Sequence, residues 1–471
     1  MKVEGTYLSD FKDIYNKVVR NKYDFGTGSW AVVNKNIEMR LDKYGEYHPY
    51  QKNNDYQYSE NEANNLKESC LSTSDLNESD ISKRLYSQVP KIKYNKDLGY
   101  YSGLYVGHVV EGDYRKNGSS GGFGTWILSQ LLKNDEIDFA INVTGSKDNE
   151  KLFEYSISDN LKGIKNGAKT KYYPVEFSKV INVLKENPGR YAIVGLPSFI
   201  MELRLLATID PVIKERLKYT IGLVCGHQKS TKFAEFLAWQ CGIKPGNLEK
   251  INFRKKQDNY PADRYAIEIT GKVDGKEQTI IREMKDLLGN DWGQGFFKVR
   301  ASDFTDDVMN ETADVTLGDA WLPEYTKDNK GNNIVIVRNP VIQKIINNGI
   351  RNDKLTVDSV DENTIYRSQA SHFKHTKYEM AYRLFKKQKN NEWIPKKRIE
   401  PSSNIPWIRK KVQDQREKIC LEVPEYYQEA LSKDDIDYFI NKVKPLSKKY
   451  KNIYLLKRII SKIKRTLYPS K

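Results

Sequence analysis

The chain has 471 residues, of which 38 % are hydrophobic, 30 % charged and 11 % aromatic, with a formal net charge of +16. This length leaves room for two or three domains and the aromatic content for a sizeable core, which excludes a disulfide knot, a collagen-like fibre and a wholly disordered chain. The four cysteines, Cys70, Cys225, Cys241 and Cys420, lie far apart with no CxxC pair, so neither a disulfide framework nor a structural zinc site is spaced into the sequence, and a reducing compartment is expected.

Met1 to Tyr15 mixes Asp, Glu and Lys with apolar residues, and no run of 18 apolar residues follows anywhere. Neither a secretory leader nor a membrane span is expected, which predicts a cytoplasmic chain. Residues 1–90 form a polar first region, with a hydrophilic passage from Gln51 to Lys83 that reads as loop or as a small, weakly cored module. From Leu98 the texture changes. Tyr105–Val110, Phe123–Leu132, Ile137–Val143, Phe177–Leu184, Tyr191–Val194, Pro211–Leu217 and Tyr219–Val224 alternate between strand and helix patterns, and Ile334–Val337 is a last clear strand. Such alternation predicts a mixed α/β class, with the core over residues 91–345. Beyond it, Pro340–Ile346 and His372–Lys386 read as helices, the second within a basic, largely helical extension over 346–471.

The charge is concentrated in that extension. Ala381–Lys471 holds 24 Lys and Arg against 10 Asp and Glu, whereas the first 380 residues hold 54 against 52. Asn441–Lys471 has 11 basic residues and no acidic one, with Ile453, Leu456, Ile460, Ile463 and Leu467 at helical spacing. A basic amphipathic helix of this kind docks on the protein's own body, or lies on an anionic membrane at roughly 1 kcal/mol per basic residue near the lipid. Nucleic acid is the third reading, and the absence of aromatic–basic interleaving on a recognisable module argues against it.

Four segments carry candidate chemistry. Asn117-Gly118-Ser119-Ser120-Gly121-Gly122-Phe123-Gly124-Thr125 precedes a helix. Its glycines let backbone approach an anion, and the first helical turn presents free N–H groups, so a phosphate or pyrophosphate fits, as does a solvated cap. No Lys follows the glycines and GxGxxG is absent, so this is neither nucleotide motif. Tyr191–Gly195 runs into Leu196-Pro197-Ser198, where Gly195 would lie at a strand's carboxyl end and Ser198 would either touch a ligand or cap the following helix. Ile221–Val224 ends in Cys225-Gly226-His227, a thiol and an imidazole that serve nucleophilic catalysis or simply pack. Asp314–Leu317 leads to Gly318-Asp319, whose carboxylate would bond a ribose hydroxyl or close the turn.

In this order the segments resemble the beta-subunit family of coenzyme F-420 hydrogenases and dehydrogenases, over about Phe25 to Arg338. Ser120-Gly121-Gly122 is similar to the family's SGG loop and Lys169-Thr170-Lys171-Tyr172-Tyr173-Pro174 to its KY.P segment. Gly195-Leu196-Pro197-Ser198 stands where the family writes G-T/L-P-C. Gly222–His227 resembles GL.CGH, and Asp314–Trp321 resembles DIS.GDAW. The resemblance implies a flavoprotein using FAD, some members of which reduce the deazaflavin, with iron–sulfur clusters as relay.

Here the cluster ligands are replaced. Before Ile37-Glu38-Met39-Arg40-Leu41-Asp42, where relatives carry CxGCGxC, Gly26, Ser29 and Val32 stand at three expected ligand positions, and Cys70 alone remains as a fourth. Ser302 and Thr305 stand where relatives carry a later CxxC, and Ser198 replaces a further Cys. Without thiolates no iron–sulfur cluster is expected, and residues 1–90 become a degenerate, partly ordered ferredoxin-like remnant. The resemblance further implies a pyrophosphate on Ser119, Ser120, Gly121 and Gly122 with Thr125 one turn in, and Lys171 as the cation near flavin or phosphates. Asn117, Gly195 and Ser198 would line the cavity, and His227 would donate a proton to substrate. It also implies a small-molecule or glycan-precursor substrate in surface polysaccharide synthesis, at the inner face of the membrane. An inactive scaffold that keeps the fold is the alternative, and an oligomer is left open.

Overall fold

The computed structural model describes residues 11–148 and 150–467. The first ten residues and the last four, and with them part of the expected leader-free N-terminus and of the basic helix, lie outside the described residues, as do the side chains of Ile463 and Leu467.

The hydrophilic passage, expected to be loop or a small, weakly cored module, carries two helices. Glu60–Glu68 and Glu78–Tyr86 each begin with a capping box, Ser59 with Glu62 and Asn77 with Asp80, in which two backbone donors at each helix start find side-chain partners. Their buried apolar residues are few, Ala63, Leu66, Ile81 and Tyr86, which explains the hydrophilic composition: only one narrow face is covered. Before them, strands β1 (Ile37–Leu41) and β2 (Tyr47–Gln51) form an antiparallel hairpin. This region has a small core of its own, in which Phe11, Ile14, Val18 and Trp30 meet Ile37, Leu66 and Cys70. A second cluster ties it to the body, where Phe25, Leu71 and Ile81 pack with Met201, Leu205, Val299 and Ala301.

After a short hairpin of β3 (Lys93–Asn95) and β4 (Gly99–Tyr101), the main sheet begins with β5 (Gly103–Val109), β6 (Phe139–Gly145), β7 (Phe153–Ser158), β8 (Tyr191–Gly195) and β9 (Leu217–Leu223). Three strands, β10 (Leu248–Lys255), β11 (Ala266–Val273) and β12 (Lys276–Glu283), build a separate antiparallel sheet. The chain then returns with β13 (Val315–Asp319), β14 (Asn333–Val337) and β15 (Leu355–Ser359), and the eight-stranded order is β15-β5-β14-β13-β9-β8-β6-β7. The strands β13, β9, β8 and β6 are parallel, and β5 points the same way because β14 lies antiparallel between it and β13.

Both faces of this sheet are covered, which is why its central strands are continuously apolar. On one face Val335 and Val337 pack with Trp126, Ile127 and Leu131 of the helix Phe123–Lys133 and with Ile342 and Ile346 of the helix Pro340–Arg351. The alternate residues Ile334 and Ile336 face Leu98, Ile365 and Phe373, as the two-residue period of a strand requires. Under β8 and β6, Ile193 and Ile141 meet Ile181, Phe199 and Leu203.

The expected boundary at 345/346 falls inside the helix Pro340–Arg351, and β15 beyond it pairs with β5. The core therefore runs on to at least Ser359, because an edge strand of the sheet comes from the segment read as extension. The remaining C-terminal chain ends in two long helices, Trp407–Lys433 and Ile436–Leu467. Val412, Ile419, Tyr427, Phe439, Val443 and Tyr450 of this pair bury against Phe233, Phe236, Phe253 and Ile267. No helix among the described residues is long and apolar enough to cross a membrane.

Candidate functional site at the carboxyl edge of the sheet

Because β5, β6, β8, β9 and β13 share one direction, their carboxyl ends meet at one edge, where open α/β sheets gather ligands. The Ser-Gly-Gly loop follows β5 there. Its glycines are dictated by packing: a Cβ on Gly121 would lie 2.6 Å from the carbonyl of Gly107 and 2.9 Å from the amide of Asn333, and Gly122 has φ +88° with Tyr114 and Arg115 backbone 2.7 Å from the same position. The serines are engaged within the protein. Ser120 Oγ donates to the Asn332 carbonyl at 2.8 Å, and Ser119 Oγ accepts from the Thr170 amide at 2.8 Å. What stays open is the start of the helix. A Cβ on Gly124 would meet only Leu317, at 3.8 Å, and the first-turn amides of Gly124 and Thr125 have no intrahelical acceptor.

Cations surround this helix start, and they come from the three-stranded sheet. Lys256, just past β10, donates from Nζ to the carbonyls of Arg115 at 2.6 Å and Ser120 at 3.0 Å. Burial, with Arg115 and Arg254 nearby, brings its pKa down to about 7. Arg254 pairs with Asp319 at 2.7 Å and lies over the rings of Tyr265 and Trp321, with its Nε buried and unpartnered. Arg115 pairs with Asp328 and donates to the Gly331 carbonyl. Sequence reading missed these three residues. The signal available was the run Arg254-Lys255-Lys256 at the end of an amphipathic strand.

The residues fit an anionic phosphate ester: free helix-start amides, an ammonium held on carbonyls alone and an orphaned guanidinium nitrogen supply donors, while Asp319 and Asp328 already pair with the two guanidinium groups. The fit differs from the expected one in detail. The serine hydroxyls and Gly121 serve the fold, whereas Gly124, Thr125 and Lys256 offer the unspent donors. Asn117 ends the short helix Tyr114–Asn117 and is exposed.

Lys171 does not reach into an open cavity. Its Nζ donates to the carbonyls of Gly167 and Ala168, both at 2.6 Å, closing the C-terminus of the helix Leu161–Asn166, and burial beside Lys169 brings its pKa down to about 7. The next residue, Tyr172, packs on Trp292 with centroids 4.6 Å apart, and His227 stacks on the same indole at 4.6 Å and 21°. Lys229, 2 % exposed, places its ammonium 4.4 Å from that ring and donates to the Phe296 carbonyl. Burial, and then Lys229 and Lys298, push the His227 pKa well below its ordinary value. This burial disfavours the charged imidazole, the form from which His227 was expected to donate a proton. Cys225 is also inert, since burial pushes its thiol up to about 12.

Gly195 ends β8, and its carbonyl accepts from Asn310 Nδ2 at 3.0 Å. A Cβ on Gly195 would meet Ile200 at 2.7 Å. Ser198 is buried within the helix Pro197–Ile209, whose N-cap is Leu196; Pro197 takes the first helical position, so Ser198 falls two residues past the cap. Asp319 does more than close its turn, because it neutralises Arg254.

Beside Gly26, Ser29 and Cys70, where the resemblance would put cluster ligands, lies a carboxylate-centred knot. Thr27 Oγ1 donates to Glu202, and the Leu71 amide donates to the same carboxylate at 3.1 Å, with Cys70 buried beside it. Burial raises the Glu202 pKa to about 7. A Cβ on Gly26 would lie 2.7 Å from the Tyr47 carbonyl, so that position admits no side chain. Ser302 Oγ accepts from the Gln228 amide and Thr305 Oγ1 donates to the Asp307 carbonyl. Among the described residues, no group of three or more His, Cys, Asp and Glu is placed to hold a metal ion.

Two family models match this chain. Residues 104–182 match the N-terminal part, and residues 189–363 the C-terminal part, of the coenzyme F-420 hydrogenase/dehydrogenase beta-subunit family, together more than half of the sequence. No curated protein matches. Among solved structures, a chain from the xenon-derivatized F-420-reducing NiFe hydrogenase complex of Methanosarcina barkeri aligns at 13 % identity with a TM-score of 0.48, over 64 % of this chain and 98 % of that one.

Proposed function

Since the chain belongs to the coenzyme F-420 hydrogenase/dehydrogenase beta-subunit family, we propose that it is an FAD-dependent oxidoreductase that works without an iron–sulfur cluster. The observation that carries this reading is the cation-ringed helix start, where the amides of Gly124 and Thr125, Lys256 Nζ and the Arg254 guanidinium would hold a pyrophosphate. FAD bound there supplies hydride transfer. The chain's own part is to neutralise the phosphates, to orient the cofactor along the carboxyl edge and to keep water from Trp292 and Tyr172. With no thiolates at positions 26, 29 and 32, electrons have no relay, so the reductant is a diffusing small molecule that meets the cofactor directly. The substrate class, a carbohydrate or small-molecule precursor in surface polysaccharide synthesis, rests on the resemblance alone.

One observation favours the second reading, an inactive scaffold that retains the fold. Trp292 is covered by His227, Tyr172 and Lys229, and Tyr265 and Trp321 by Arg254, so these aromatic rings are already engaged by the protein itself. The visible spectrum of the purified protein, with flavin release and iron determination on the same sample, separates the two. Bound FAD without iron is the expected result. A colourless protein that takes up no added FAD supports the scaffold, and stoichiometric iron overturns the cluster-free reading.

A further inference from the structure

The C-terminal helix Ile436–Leu467 docks on the body along one seam, which among the described side chains runs as far as Ile453 and Tyr454. Phe439, Val443, Leu446 and Tyr450 are buried at helical spacing. One turn later the pattern reverses: Leu455, Leu456 and Ile459 are 55, 42 and 48 % exposed. At about 100° per residue, Leu456 and Ile459 lie roughly 120° and 180° around the helix from Tyr450, so they turn away from the docked seam. Lys448, Lys449, Lys451 and Arg458 are exposed around them, and the chain from Asn441 onward carries 11 basic residues and no acidic one.

We propose that this exposed helix end, centred on Leu455, Leu456 and Ile459, docks the protein on an anionic lipid bilayer surface. An acid-free surface selects an anionic partner. Exposed leucine and isoleucine among the lysines select one that has an apolar layer beneath its charges, which a lipid headgroup region has and a nucleic-acid backbone lacks. A second copy is disfavoured by the same count, because it would set one acid-free helix against another. The inference is independent of the cofactor, since none of these residues touches the carboxyl edge of the sheet.

The test is co-sedimentation of the full chain with vesicles of phosphatidylcholine alone and of equimolar phosphatidylcholine and phosphatidylglycerol, at low and high salt. The protein is expected to pellet with the anionic vesicles at low salt and to stay in solution with the neutral ones. Two variants divide the contribution: Leu455→Ser, Leu456→Ser and Ile459→Ser together remove the apolar contact, and Lys449→Gln, Lys451→Gln and Arg458→Gln together remove charge. Each is expected to lower the partition coefficient at least about tenfold with the melting temperature unchanged, because all six side chains are exposed. Equal binding to both vesicle types overturns the proposal, as does no binding to either, or full binding by the serine variant, which would reduce the contact to non-specific charge. Flavin content is read in neither arm, so this result and that of the proposed function stand apart.

Discussion

Lys256 is the residue on which the proposed cofactor site turns, and its protonation is poised. Burial and two guanidinium neighbours bring its pKa down to about 7, so a phosphate placed beside Nζ would raise that pKa and draw a proton on binding. FAD affinity is then expected to fall as pH rises above about 7, and Lys256→Gln is expected to weaken binding about tenfold and flatten that dependence, as measured by flavin fluorescence titration. His48 poses the opposite case. Burial works against its charge, but Asp24 at 2.9 Å, with Asp42 and Glu46 on the other side of the ring, raises its pKa to about 10. Its stabilising contribution is complete below the unfolded value near 6.5 and is lost as pH rises through about 10. His48→Gln is expected to cost about 3 kcal/mol at neutral pH by urea denaturation, with the loss shrinking toward pH 10. The sequence singled out neither residue, because burial and the folded placement of Asp24 beside His48 and of Arg115 beside Lys256 give each its meaning.

At the scale of elements, the loop Ser119–Gly122 shows how far a motif can be read. Its place at the start of a helix was legible from Gly and Ser followed by a helical period; its place at the carboxyl edge of the sheet was not, nor was the use of each residue. Gly121 is required by the backbone of β5 and β14, so Gly121→Ala, which would put a Cβ 2.6 Å from the Gly107 carbonyl, is expected to lower stability by about 1–3 kcal/mol in thermal unfolding, whether or not flavin is present. The helices Glu60–Glu68 and Glu78–Tyr86 teach the converse. Composition left Gln51–Lys83 as loop or a small, weakly cored module, yet the pairs Ser59 with Glu62 and Asn77 with Asp80 stood at both helix starts in the sequence. Hydrophilicity reports how little of a helix is buried, and capping reports that it begins; the first masked the second.

For the whole molecule, the C-terminal helix pair completes a core that the rest of the chain leaves open. Tyr427 meets Phe236, Trp239, Phe297 and Phe439 edge-on, so Tyr427→Ala is expected to cost about 3–5 kcal/mol, read from the urea midpoint. The basic extension is therefore part of the fold through Tyr454, and beyond it Leu455, Leu456 and Ile459 are exposed. The sequence by itself determined the mixed α/β class, the strands and helices of the core, the family and the order of its motifs, because these depend on periods of two and 3.6 residues and on short local spacings. Tertiary structure alone decided that β15 joins the sheet, that Lys171 and the serines serve the backbone, and that β10 delivers Arg254 and Lys256 to a helix start more than a hundred residues earlier. The physical reason is one of range: hydrophobic periodicity is written into neighbouring residues, whereas the desolvation and charge that define a site come from residues that only folding brings together.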